Sequence, residues 1–287
     1  MKLRILGILS ACLLLFSCSK EEAVKPNEIK HEVKFTVSTF SQEITDISYA
    51  KALNTSIGYL DYIVFNSSGA KVNRISQTSA DANFGVVSDQ LSAGTYTVII
   101  VGSKNPISIG LENSLNGIGV VFSQHVYDSF YRKVTITVGN ENIAQNITLD
   151  RFVSYVELVL TDAIPANAKK IVLNIENDHQ SYFLSSESSS GVIIFNTEKV
   201  VETAAIGTTN FTMGTFVLNT KDPLTINIRA YDVDNKIIAE KKVTNVTCVK
   251  NRKTILTGKL FEGTTPSSAS FTVSVNDTFL EPATIAF

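Results

Sequence analysis

Residues 132–139 read RKVTITVG, and their reading decides the fold. Val134, Ile136 and Val138 fall on one side of an extended chain, with Thr135 and Thr137 on the other. Period-two alternation of β-branched residues marks a strand with one face buried. The same pattern recurs in both directions. KFTVSTF (34–40) sets Phe35 and Val37 against Thr36 and Ser38. LTINIRAY (224–231) sets Ile226, Ile228 and Ala230 against Thr225, Asn227 and Arg229. SFTVSVND (270–277) aligns Phe271, Val273 and Val275. Turn residues separate the runs: FNSSGAK (65–71) joins YLDYIVF to KVNRISQ, and DVDNK (232–236) joins LTINIRAY to KIIAEKKV. Asn, Asp, Ser and Gly supply the positive φ and local caps that such turns need. Helical periodicity is confined to two short stretches, IPANAKKI (164–171) and the surroundings of HVYDSFY (125–131).

Many short strands with frequent turns predict an all-β protein built from sandwiches. The chain of 287 residues has room for two. Both halves close on two strands linked by a polar turn, in KVTITVGNENIAQNITLDR (133–151) and KKVTNVTCVKNRKTILTGKL (241–260). The expected organisation is an N-terminal sandwich at 31–150 and a C-terminal sandwich at 151–287. The latter includes a final strand at 270–279, after the linker EGTTPSSA (262–269).

Ahead of this body, Lys2 and Arg4 precede an apolar run from Ile5 to Phe16. That run is well short of the ~20 residues that span a bilayer as a helix. It reads as the apolar region of a secretion signal at 1–17. The stretch Leu15-Phe16-Ser17-Cys18 resembles a bacterial lipobox, which implies cleavage between Ser17 and Cys18 and fatty acylation of Cys18. Acyl chains anchor because each buried CH₂ contributes about 0.8 kcal/mol. Ser19-Lys20-Glu21-Glu22 resembles the surface-export tag of Bacteroidetes lipoproteins, and 18–30 reads as a tether.

Composition excludes several function classes. A net charge of −2 without a basic stripe gives nucleic acid no footprint. Of three cysteines, Cys12 lies in the leader and Cys18 at its end, leaving Cys248, so no disulfide framework or multi-cysteine metal site is expected. Cys248 reads as a small buried hydrophobe. His31, His125 and His179 stand apart, and neither His-Glu-x-x-His nor Gly-x-Ser-x-Gly occurs. GIGVVF (117–122) lacks the third glycine of a dinucleotide loop. DVDNK reads as a hairpin turn rather than a Ca²⁺ loop, and ENDHQSYFLSSESSSG (176–191) as a solvated loop between strands. Neither an enzyme nor a cofactor is expected.

Several stretches, in order, resemble fimbrial subunits of Bacteroidetes type V pili. These are LDYIVFNSSGAKV (60–72), DSFYRKVTITV (128–138), ITLDRFVSYVELVL (147–160) and KNRKTILTGKL (250–260). The resemblance is strongest to the fimbrillin-A-associated anchor (FimB-like) lipoproteins. It implies two transthyretin-like sandwiches, a place on the outer face of the outer membrane, and a fimbrial stalk subunit as partner, joined by β-strand exchange. Stalk subunits of this kind are released from their lipid by cleavage after an arginine. Here no arginine lies between Arg4 and Arg74, although Lys51 is available. The expectation is therefore a permanently tethered anchor. The alternatives are a stalk or tip (adhesin) subunit and, from another class, a surface glycan-binding lipoprotein.

Overall fold

The computed structural model describes residues 29–40, 56–262 and 271–276. Seventeen strands follow one another among them: β1 (Lys30–Phe40), β2 (Tyr59–Asn66), β3 (Lys71–Thr78), β4 (Val86–Ser92), β5 (Gly94–Ser103), β6 (Ser108–Gly110), β7 (Gly119–Val121), β8 (Ser129–Val138), β9 (Ile143–Arg151), β10 (Ser154–Leu160), β11 (Lys170–Phe183), β12 (Ser188–Val200), β13 (Phe211–Val217), β14 (Leu224–Tyr231), β15 (Ile237–Val246), β16 (Lys253–Gly258) and β17 (Thr272–Asn276). The chain is all-β, as the alternation predicts. Neither expected helix forms. Ile164 instead makes a parallel bridge to Ile206, with its N–H bonded to Thr208, and Pro165 opens only a tight turn. Val126 bridges Phe216, and Ser129 to Tyr131 already belong to β8.

The first half follows the path β3-β2-β5-β8-β9-β1-β4. Between β8 and β9 it is held by two pairs alone, Phe130 with Arg151 and Tyr131 with Asp150. The path folds over at that corner, so β3-β2-β5-β8 faces β9-β1-β4. Val33, Phe35 and Val37 of β1, Val87 and Leu91 of β4, and Ile147 and Leu149 of β9 meet Leu60, Tyr62, Val64, Val98, Ile100 and Phe130 in one core.

The second half repeats this connectivity. β10 lies between antiparallel β13 and parallel β16, as β1 lies between antiparallel β4 and parallel β9. β11 lies between β12 and β14, with β15 beyond, as β2 lies between β3 and β5, with β8 beyond. The sheets β12-β11-β14-β15 and β13-β10-β16-β17 enclose a second core that includes Leu158, Leu173, Met213, Ile226 and Leu256. Two features break the repeat. The hairpin β6–β7 is inserted between β5 and β8, and β17 is added beyond β16.

The stretch 176–191 is not the solvated loop that its composition predicts. It forms the far ends of β11 and β12 and the turn between them. Polar residues occur here because β12 is an outer strand. In addition, a bulge between Ile175 and Asp178, with Asn177 at φ 66°, interrupts the alternation.

Candidate assembly edges and the junction between the sandwiches

β1 is built into the first sandwich on both sides. Lys30 to Thr36 pair with β4, and Val33 to Phe40 run parallel to β9. Val33 and Phe35 are wholly buried. Removing this strand would open a groove along the core. The residues that the lipobox and export-tag readings single out, Ser17, Cys18, Ser19, Lys20, Glu21 and Glu22, lie outside the described residues, as does Lys51.

Arg74, the first arginine after the leader, sits inside β3 opposite Ile63. Its Nε and Nη2 donate to Asp61 Oδ1 at 3.0 and 2.8 Å, and Nη1 donates to Glu112. Ser76 Oγ donates to the same Asp61 oxygen, and Lys71 Nζ donates to Glu112 Oε1 at 2.6 Å. Lys71 and Arg74 together hold the Glu112 carboxyl below the usual carboxylate range. A peptide bond locked in a ladder, beside a side chain held by two carboxylates, is a poor protease substrate.

β17 runs antiparallel to β16, from Thr272 opposite Thr257 to Asn276 opposite Lys253. Phe271, just ahead of it, packs on the second core. Gly258 makes that fit: a Cβ there would lie 2.6 Å from the Phe271 ring. The counterpart of β16 in the first half is β9. Among the described residues, no strand covers its corresponding edge from 143 to 149. Among the described residues, the first sandwich has no strand in the position that β17 takes in the second.

The two sandwiches share a third core. Ile63 and Phe65 of β2, with Ile99 and Val101 of β5, present their second face to Val120, Phe122, Phe152, Tyr182, Phe195 and Leu218. This is why β2 is buried on both faces. The inserted hairpin spans the junction. β7 pairs with β11 through Val121–Ser181 to Gly119–Phe183, while the hairpin's tip bonds the β2–β3 turn through Leu115 N–H to Gly69 O and Lys71 N–H to Asn113 O. Phe152 and Tyr182 stack at the centre and Tyr131 meets both edge-on, with ring centroids 4.4 to 5.8 Å apart. Burial pushes the Tyr182 hydroxyl up to about 12. Arg151, the last residue of β9, ties the two sides together. Nε and Nη2 donate to Asp128 at 2.5 and 2.9 Å, Nη1 donates to Asn251 at 3.2 Å, and the guanidinium lies 4.4 Å from the Phe130 ring centroid.

No constellation of catalytic type appears among the described residues. Among the described residues, no group of three His, Cys, Asp or Glu side chains is placed to hold a metal ion, and no helix is long and apolar enough to cross a membrane. Cys248 lies just past β15, is 1% exposed, and has its thiol pushed up to about 12 by burial. DVDNK is a hairpin turn in which Asp232 Oδ1 accepts from the N–H groups of Asp234 and Lys236. Asp178 is wholly buried at the β11 bulge. Its Oδ1 accepts from the N–H groups of His179, Leu218 and Asn219, while burial raises its pKa above the usual carboxylate range. This buried carboxylate, which sequence reading missed, holds the β13–β14 loop to β11. Its signal was the Asn-Asp pair interrupting an apolar alternation.

Residues 115–286 match the model of a family described as a family of unknown function, DUF6562. That match runs from the β6–β7 hairpin through the second sandwich. No curated protein matches the chain. Among solved structures, the chain is similar to a Bacteroides thetaiotaomicron protein described as a candidate polysaccharide-binding protein (DUF1812). The identity is 12% and the TM-score 0.57, covering 89% of this chain and 99% of that one. It is similar to the fimbrial anchor protein Mfa2 of Porphyromonas gingivalis at 13% identity and TM-score 0.54, covering 86% and 97%. A candidate adhesin from Bacteroides ovatus gives 13% and 0.54, covering 89% and 97%. At such identities these likenesses concern the fold, here along nearly the whole of each chain.

Proposed function

This chain belongs to the DUF6562 family, whose function is unknown, and from that premise we propose that it is a fimbrial subunit of the permanently tethered kind. In this reading it is a surface-exposed outer-membrane lipoprotein, held by acyl chains on Cys18, that anchors a fimbrium and joins the stalk by strand exchange. The observation that carries it is the state of β1. The strand is bonded on both sides, it buries Val33 and Phe35, and no arginine precedes Arg74 in the mature chain to release it. Arg74 is itself locked in β3.

A subunit that keeps its first strand keeps that groove filled, so it joins its neighbour as a donor. β17 suits the role. It is bonded along one edge by one five-residue ladder, and among the described residues the first half has no counterpart to it. Backbone bonds supply continuity in such an exchange, and alternate side chains supply fit. The fold shared with a fimbrial anchor protein and an adhesin supports the assignment. Glycan binding has less support, since among the described residues no tyrosine or phenylalanine is exposed to serve as a stacking platform. Neither catalysis nor a cofactor forms part of the proposal. The test is Cys18→Ala in cells that make the fimbria. Fimbriae shed into the medium support the anchor, and fimbriae that stay cell-bound at normal length refute it.

A further inference from the structure

β12 is the longest free edge among the described strands. It has thirteen residues and pairs with β11 alone. Sheet edges are ordinarily blunted by charge, proline or covering elements. β15 follows that rule with Glu240, Lys241 and Lys242, and β3 with Lys71 and Arg74. β12 does not. Its outward row carries Val192, Ile194 and Val200, exposed to 70%, 55% and 58%. Its lysine, Lys199, is turned onto its own chain, with Nζ 2.8 Å from Thr212 O and 4.9 Å from the Phe211 ring centroid. An edge so long, apolar outside two charges that are each engaged within the chain, is a template for another strand.

The sheet also delivers a directed hydrogen-bond donor to this edge. Asn227 Nδ2 donates to Asn174 Oδ1 at 2.9 Å, and Asn174 Nδ2 donates to Asn196 Oδ1 at 2.8 Å. That ladder assigns the Asn196 oxygen inward and so turns its amide N–H₂ outward. Two positions along, Glu198 carries a carboxylate on the same face. β12 therefore offers a donor, an acceptor and an apolar residue on either side of them, a self-complementary row.

We propose that β12 pairs antiparallel with β12 of a second copy of this chain, about a two-fold axis at Thr197. Ile194 then faces Val200 of the second copy, and Asn196 donates to Glu198 of the second copy, each contact occurring twice by symmetry. The two β12-β11-β14-β15 sheets become one continuous sheet of eight strands. The inference does not rest on the tether or on strand exchange by β17.

Chemical trapping tests it, because a short edge contact buries less than the ~800 Å² per partner of an ordinary stable interface. Directly opposed residues bring their Cβ atoms to about 4.5–5.5 Å, within easy adjustment of a disulfide. Full-length chain carrying Thr197→Cys, displayed on cells and mildly oxidised, is expected to give a covalent homodimer on a non-reducing gel. Thr244→Cys, on β15, is expected to give none. Adding Ile194→Lys to the Thr197→Cys chain sets a charge against Val200 on both sides of the axis. It should cut the dimer by about tenfold or more while thermal unfolding stays unchanged. No dimer from Thr197→Cys, equal dimer from Thr244→Cys, or capture of a different protein at Thr197→Cys each overturns the proposal.

Discussion

Replacing Arg151 with alanine probes the junction between the sandwiches. The side chain is 10% exposed and that of its partner Asp128 is 20% exposed, so water screens the pair little. Truncation removes a two-pronged bond to Asp128, a bond to Asn251 and the stacking on Phe130, and it leaves the Asp128 carboxylate without its cation. Charge-assisted bonds contribute about 1.5 kcal/mol or more each, and a cation over a ring about 0.5–1 kcal/mol. Stranding one member of a mostly buried pair costs about 3–5 kcal/mol. The residual exposure of Asp128 places the expected loss near 3 kcal/mol, a large share of a domain's ~5–15 kcal/mol. Arg151→Lys keeps the charge and loses the fork, and should cost about half as much. Urea unfolding followed by far-UV circular dichroism reads this out. Because the third core joins both halves, one transition is expected, with an unchanged slope and a midpoint lowered by about 1 M for Arg151→Ala. A loss below about 1 kcal/mol, or two separate transitions of which one alone moves, would refute the reasoning.

Other consequences follow from single sites. Gly119→Val places a Cβ 2.8 Å from the Tyr182 carbonyl oxygen. It should break the β7–β11 pairing and cost about 2–3 kcal/mol, visible as faster amide exchange at 181–183. An arginine-specific protease should leave the native chain uncut after Arg74, whereas Asp61→Asn combined with Glu112→Gln should expose that bond. Equal resistance in both chains would show that the ion pairs do not protect it. The raised pKa of Asp178 makes the native state bind this proton more tightly than the unfolded chain does. Its stabilising contribution is therefore complete below the unfolded carboxylate pKa of ~4 and is lost as pH rises through the raised native value. Relative to Asp178→Asn, which has no such proton, the unaltered chain should lose stability across that window, and parallel stability–pH curves would contradict this. Cys248 should resist iodoacetamide in the native chain at pH 8 and react on unfolding.

Strands with one wet face were legible in the sequence, because their alternation is a direct image of burial. Residues 132–138 read as they fold, and so do 224–231 apart from Asn227, which is buried under its bonds to Asn174 and Glu176. The strand pairs that close each half, β8–β9 and β15–β16, were legible from their alternation around a polar turn. The inserted hairpin was not, since three-residue strands are too short to show a period. The β11–β12 hairpin was masked by the serines of an outer strand and by a bulge whose buried Asp178 reads locally as solvent-facing. Arg151 lies in the stretch ITLDRFVSYVELVL, but its partners Asp128 and Asn251 lie 23 and 100 residues away. Sequence spacing carries no trace of such contacts. The self-complementary row on β12 was hidden for a related reason. Val192, Ile194 and Val200 look like core residues until the fold leaves them more than half exposed.

The claim that this subunit is tethered for good and donates its last strand is tested most directly on β17. A photo-crosslinking amino acid at Ser274, whose side chain is exposed in this structure, can be activated on intact fimbriated cells and the adduct identified by mass spectrometry. The account predicts a covalent adduct with a fimbrial stalk subunit, on a chain that retains its sequence from Cys18 onward. Adducts confined to its own β16 in cells with normally attached fimbriae would contradict it.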